Sequence, residues 1–198
     1  MKTPSRFSAL LLASLLGTAS LLAQSATVAP TAAPRARVSP HETISSVIGG
    51  RGGNRVTVTY GRPYSKDPKT GEIRKIWGGL VKWDKADRLG ADEATLLLTE
   101  QPLAFGDTVI PAGAYTLYLV PSETGATKLA FSSRLGKWGV PVDESKDVAR
   151  VDLAKAAISS PVDQLTLAVV PDANNAPSGT LVIQWETTQF SAPFAVKK

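Results

Sequence analysis

Beyond Val38 the apolar residues of this chain recur at every second position. In RVTVTYGRP, Val56, Val58 and Tyr60 alternate with Arg55, Thr57 and Thr59. Tyr115, Leu117 and Leu119 alternate with Thr116 and Tyr118 in AYTLYLVP. ATLLLTE, TKLAFSS, DVARVDL, DQLTLAVVP and GTLVIQWETTQFSAPF continue the series, each bounded by Gly, Pro, Asp or Asn. A period of two between turn-forming clusters predicts strands, and about eight or nine short strands predict an all-β fold. The expected architecture is an antiparallel β-sandwich, with barrel-like closure as its variant. At most one short helix is expected, over DLAKAAIS at 152–159. The predicted inner face carries Val58, Leu97, Leu117, Leu119, Leu167, Val169, Leu181, Ile183 and Trp185.

The punctuation between runs is equally legible. PAG at 111–113 predicts a reverse turn, because Pro presets φ and Gly tolerates positive φ. PDANNAPSG at 171–179 predicts the loop joining the last two strands. GGRGGN at 49–54 invites a phosphate-cradle reading, but it lacks the Lys-Ser/Thr of such loops and precedes a strand. A hairpin loop is the expectation there.

The pattern changes before Val38. Lys2 and Arg6 precede an apolar run from Phe7 to Ala23, with small residues at Gly17, Ala19, Ala23 and Ala26. That order predicts a secretory signal peptide over residues 1–23. Ser, Gly and Thr interrupt the run, which falls short of the roughly 20 strongly apolar residues of a spanning helix. TVAPTAAPRARVSP has no apolar periodicity, so residues 24–37 are expected to be a flexible Ala/Pro leader. A single domain then occupies 38–198. The expected location is periplasmic or secreted, with no transmembrane segment after signal cleavage.

Composition narrows the chemistry. The chain has no Cys and one His, His41. Thiol catalysis and thiolate metal sites are excluded, and most zinc schemes with them. His41 has no Gly-x-Ser-x-Gly elbow to serve and reads as solvent-facing or capping. The formal charge of +5 includes Lys2 and Arg6, which leaves too mild an excess for a nucleic-acid footprint. No nucleic-acid partner, metal or cofactor is expected.

The stretch KIWGGLVKWDKADRLGADEATLL, 75–97, mixes two tryptophans and a Gly-Gly pair with cations and carboxylates. As a site, its indoles would stack a sugar or flat apolar surface while Arg and Lys grip anionic or hydroxyl groups. As structure, the indoles would plug one end of the fold, and Arg62 or Arg88 would pair with Asp92 or Glu93. The candidate binding residues are Tyr60, Arg62, Lys75, Trp77, Arg88, Glu93 and Trp138. Trp138, flanked by Gly136 and Gly139, is either a stacking platform or a loop plug. No catalytic residue is assigned. Asp92 and Glu93 are adjacent, and neighbours on a strand face opposite ways unless a bulge re-aims one. Asp143, Glu144 and Asp147 lack the spacing of a calcium loop, and Lys146 and Arg150 interleave with them.

Several stretches together resemble one known family. They are SPHETI at 39–44, VTVTYGRP at 56–63, RKIWGGLV at 74–81, GADEATLL at 90–97, PAGAYTLYLVP at 111–121, KWGVPVDESKDVARV at 137–151 and LVIQWETTQFSAPF at 181–194. In that order they resemble the DUF2911 family of exported bacterial proteins of unknown function. The resemblance implies one β-rich domain outside the cytoplasm and supplies no catalytic residues. Asp92 departs from the family's usual Asn, and Asp87-Arg88-Leu89 from its usual Trp-Arg-Thr. The expected function is a non-enzymatic binding module for a small-molecule or glycan ligand, or an interaction module for an envelope protein. The alternative is a glycan-acting hydrolase using a carboxylate pair that includes Glu93.

Overall fold

A computed structural model describes residues 37–198, which lie in one compact unit. The signal peptide expected over 1–23, and all of the leader but Arg37, lie outside the described residues. Those residues form ten strands: β1 (His41–Ile48), β2 (Asn54–Gly61), β3 (Asp87–Arg88), β4 (Thr95–Thr99), β5 (Leu103–Phe105), β6 (Thr108–Ile110), β7 (Gly113–Val120), β8 (Thr127–Ser132), β9 (Asp147–Pro171) and β10 (Ser178–Val196). One 3-10 turn, Glu144–Lys146, completes the set. Every pairing between strands is antiparallel, in the order β1-β2-β4-β7-β8-β9-β10-β5-β6, with β3 on β7. The all-β class is therefore as expected. Among the described residues no helix is long and apolar enough to cross a membrane.

Alternation explains the inner face. Val56, Val58 and Tyr60 of β2 are buried, while the Arg55 between the hairpin and Val56 is exposed. All nine residues predicted for the inner face are buried in one core cluster. The hairpin between β1 and β2 is the 49–54 loop, closed by the pair Ile48–Asn54. Gly53 is required there, since a Cβ would run into the carbonyl of Ile48. Asn54 is fully buried and satisfied: its side chain donates to Thr99 Oγ1 at 2.8 Å and accepts from the Gln101 N–H at 2.9 Å.

The helix expected over 152–159 is instead strand. Asp152 and Leu153 pair with β8, and Ala154 to Ala157 pair with Ser191 to Thr188 of β10. A helical segment of eight residues is far below the length that holds in isolation. The ladder offers each of these residues a main-chain partner and wins. β9 thus serves β8 with its first third and β10 with the rest. Register shifts between Gln184 and Thr188, with Glu186 at φ 53°, face the stretch from Ala157 to Thr166, where β9 carries extra residues that bulge out of the ladder.

The sheet curls until β1 and β2 reach β9, but its end strands do not pair and it does not close, so the barrel-like variant is not what forms. The nearest approach is one isolated bridge, Tyr64–Gln164, flanked by Leu165 N–H to Pro63 O at 3.0 Å and Ser65 N–H to Asp163 O at 2.6 Å. Pro63 has no N–H to extend a ladder. Beside it, Ser46 Oγ donates to Val169 O at 2.7 Å, and Tyr60 accepts the Leu167 N–H at 3.0 Å.

Candidate functional site

The connection from β2 to β4 spans 62–94 and folds back over one end of the sheet. Gly61 sits so close to Ala91 that a Cβ would strike the Ala91 carbonyl, and the Ala91 N–H donates to Gly61 O at 3.3 Å. Arg74 anchors the first bend: its main-chain N–H donates to Ser65 O at 2.9 Å and its guanidinium to the carbonyl of Tyr64. Asp84 N–H reaches Pro121 O at 2.7 Å, and β3 pairs with Leu119 and Tyr118 of β7.

Aromatic packing holds this connection down. Trp77 is 9% exposed and lies face to face with Trp83, centroids 6.5 Å apart. It meets Trp185 and Phe190 edge-on at 6.4 and 5.0 Å. Lys155 lies over Trp83 at 5.3 Å. Gly78, at φ 75°, packs against the Trp83 indole where a Cβ would collide. The indole mixture that stands out in the sequence is thus largely a structural plug.

Beneath the connection is a cavity of ≈ 370 Å³. Its polar wall includes Arg74, Asp87, Arg88 and Asp92; Leu80 and Val140 stand among its apolar residues. Trp185 borders it too, 4% exposed, and its indole N–H is the one buried side-chain donor without a partner among the described residues. The Asp87 carboxyl faces no hydrogen-bond donor among the described residues. Burial pushes it up to about 6, against a smaller opposing pull from Arg88. An unpartnered half-buried carboxyl on the wall of a concavity is polar capacity that the fold leaves unused.

A second charged cluster stands at the rim. Arg37 donates to both carboxylate oxygens of Glu93, at 2.6 Å to Oε1, and lies 3.6 Å from Asp92. His41 Nε2 is 3.0 Å from Glu93 Oε2. The hydrogen bond from Arg37, above all, holds Glu93 far below the ordinary range, at about 2. Asp92 is in the left-handed region, φ 63°, which re-aims it so that two neighbouring carboxylates face one guanidinium. His41, Asp92 and Glu93 bring ligand atoms within 4.8 Å of one another, the one such grouping among the described residues. Arg37 supplies the positive charge there.

The structure distributes the seven predicted residues. Arg88, Glu93 and Trp138 come together: Glu93 and Trp138 form a main-chain bridge, and Arg88 packs against Gly139 while donating to Asp92 O at 3.3 Å. Trp138 is 53% exposed, so of the two readings it is not buried as a plug. Tyr60 and Arg62 sit elsewhere and share Glu42, at 2.7 and 3.3 Å. Arg62 also donates to Leu165 O at 3.2 Å and Thr166 Oγ1 at 3.0 Å, stitching β2 to β9. Lys75 is exposed and Trp77 is in the core. The expected pairing of Arg62 or Arg88 with Asp92 or Glu93 is replaced by Glu42 for Arg62 and by Arg37 for the two acids. Asp143, Glu144 and Asp147 do not converge: the first caps the 3-10 turn through Ser145, and the others pair with Arg150.

Asp87, Arg74 and Arg37 are absent from the sequence-derived set. Arg37 carries no sequence signal, since its partner is 56 residues away. Asp87 carries none either, since the burial that sets it apart is a tertiary property.

A family model described as "Protein of unknown function (DUF2911)" matches residues 39–194. No curated protein and no solved structure matches the chain.

Proposed function

The chain belongs to the DUF2911 family of proteins of unknown function, and on that premise we propose that it is an exported, non-enzymatic ligand-binding module. In this reading the curled sheet is a two-layered sandwich, the leader is removed on export, and the protein works in the periplasm or outside the cell. The observation that carries the binding role is the cavity under the 62–94 connection, on whose wall the Asp87 carboxyl lacks a hydrogen-bond partner. Sites for small molecules are concave, mostly apolar and furnished with a few polar groups, about 300–1,000 Å³ in volume. This cavity fits that description.

Two other readings draw on different features. Leu135, Trp138 and Val140 expose 42%, 53% and 48% of their surface on one loop, which favours an envelope partner docking there. A glycan hydrolase would need a carboxyl able to hold a proton near neutrality. Glu93 is ionised and could serve only as the base or nucleophile of such a pair, but Arg37 engages both of its carboxylate oxygens, so the geometry lends that alternative little.

The test is a thermal-shift screen of small metabolites and oligosaccharides on the wild type and on Val140→Trp, whose added indole would fill the mouth of the cavity. The binding reading expects compounds that raise the wild-type Tm, perturb tryptophan fluorescence through Trp185, and lose their effect in the variant. A screen in which every stabilising compound acts equally on both proteins would refute it.

A further inference from the structure

We infer that the cavity takes a small zwitterion of the α-amino-acid class, its ammonium on Asp87 and its carboxylate on the guanidinium groups of Arg74 and Arg88. The inference rests on the binding reading above and specifies its ligand. Four charged side chains line the wall: Arg74, Asp87, Arg88 and Asp92. Asp92 already faces Arg37 at 3.6 Å. Arg74 is held by the main-chain carbonyls of Tyr64 and Ser65, and Arg88 by that of Asp92. Carbonyls orient a guanidinium without neutralising it, so both keep a net positive charge and free N–H groups. Asp87 keeps an unpaired carboxyl.

The lining therefore carries one carboxyl without a hydrogen-bond partner and two guanidiniums that no carboxylate pairs among the described residues. A simple organic cation would satisfy Asp87 and meet two guanidiniums. A simple anion would satisfy the guanidiniums and leave Asp87 desolvated beside like charge. A neutral sugar would leave both signs of charge unmatched. A ligand carrying both charges a few bonds apart matches all three groups, and a bidentate carboxylate is the natural partner of a guanidinium. The volume of ≈ 370 Å³ accommodates a single amino acid. Leu80, Val81, Val140 and Pro68 offer an apolar wall, which favours an aliphatic or aromatic side chain.

Isothermal titration of the purified protein decides this, with four probes: L-leucine, L-leucine methyl ester, N-acetyl-L-leucine and maltose. The expected result is binding of L-leucine, with the ester and the acetyl derivative each at least tenfold weaker and maltose silent. Asp87→Asn should weaken L-leucine at least tenfold and leave N-acetyl-L-leucine unchanged or tighter. Arg74→Gln should give the opposite pattern with the ester. Both variants must show the wild-type circular dichroism spectrum. Equal affinity for leucine and either single-charge derivative overturns the inference, as does binding of maltose alone. Those outcomes leave the cavity itself standing as a site. Silence from all four probes overturns the zwitterion as well, and the Val140→Trp comparison then decides the cavity independently.

Discussion

The indole N–H of Trp77 donates to the main-chain carbonyl of Trp185 at 3.4 Å, and the two rings meet edge to face. Through this contact a residue of the long connection is tied to the middle of the last strand, within the irregular stretch of the β9–β10 ladder. The contact ties the connection to the sheet, with the cavity lying between them.

Trp77→Ala should cost about 3–5 kcal/mol, as large truncations in well-packed cores do. The measurement is the urea midpoint at constant m-value. Trp77→Phe should recover more than half of the loss, because it keeps an aromatic ring against Trp83 and Phe190 and forgoes the hydrogen bond and the indole's extra volume. An alanine variant as stable as the wild type would show that the plug holds nothing down.

Asp87 makes stability depend on pH in a direction opposite to that of a salt-bridged carboxylate. Its pKa is about 6 in the folded protein and near 4 once exposed. Between these values the folded state binds the proton and the unfolded state does not, so stability falls as pH rises. The cost is complete above pH 6 and vanishes below about pH 4. Asp87→Asn should therefore stabilise the protein by roughly 1–3 kcal/mol at pH 7.5 and change nothing at pH 4. Chemical denaturation of both proteins at the two pH values checks this. A gain at neutral pH joined to the loss of leucine binding is the trade expected of a strained binding site.

Glu93 owes its low pKa chiefly to the hydrogen bond from Arg37. Arg37→Ala should return Glu93 to the ordinary carboxylate range, followed by carbon-detected NMR titration of its side chain. Both partners are about half exposed, and such pairs contribute little to folding. The unfolding midpoint at pH 7 should hardly move. Because a depressed carboxylate stabilises above its unfolded pKa, any loss should be confined to pH above about 2.

Tyr118, Asp147 and Arg150 form a closed polar group at the start of β9. Tyr118 donates to Asp147 at 2.7 Å, Arg150 Nε donates to Asp147 at 2.7 Å, and Arg150 Nη2 donates to the Tyr118 hydroxyl at 3.0 Å. Burial, reinforced by Asp147, raises the Tyr118 pKa. Asp147→Ala leaves the Tyr118 hydroxyl without its acceptor and takes one of two carboxylates from Arg150, which keeps Glu144, and should cost about 2 kcal/mol. Tyr118→Phe alone should cost less, since the Asp147–Arg150 pair survives. Equal costs, measured by thermal unfolding, would mean that the three residues act as one unit.

What the amino-acid sequence determined by itself was whatever depends on neighbours along the chain. Alternation at Val56-Val58-Tyr60 and at Tyr115-Leu117-Leu119 is a local property of a pleated strand, so the strands and their buried faces were readable from it. So were the Gly-rich hairpin at 49–54 and the loop at 171–179, because positive φ and turn chemistry are also local. The DLAKAAIS segment was misread for the complementary reason: Ala and Lys favour a helix locally, and only a ladder with Phe190 and its neighbours, more than thirty residues away, decides otherwise. The site lay beyond sequence reading on the same grounds. Whether Trp77 faces solvent or Trp185, whether Glu93 meets Arg88 or Arg37, and whether Asp87 finds a donor are settled by contacts across 56 to 108 positions. The curl of the sheet and the fold-back of the 62–94 connection make those contacts, and they also leave one carboxyl without its match.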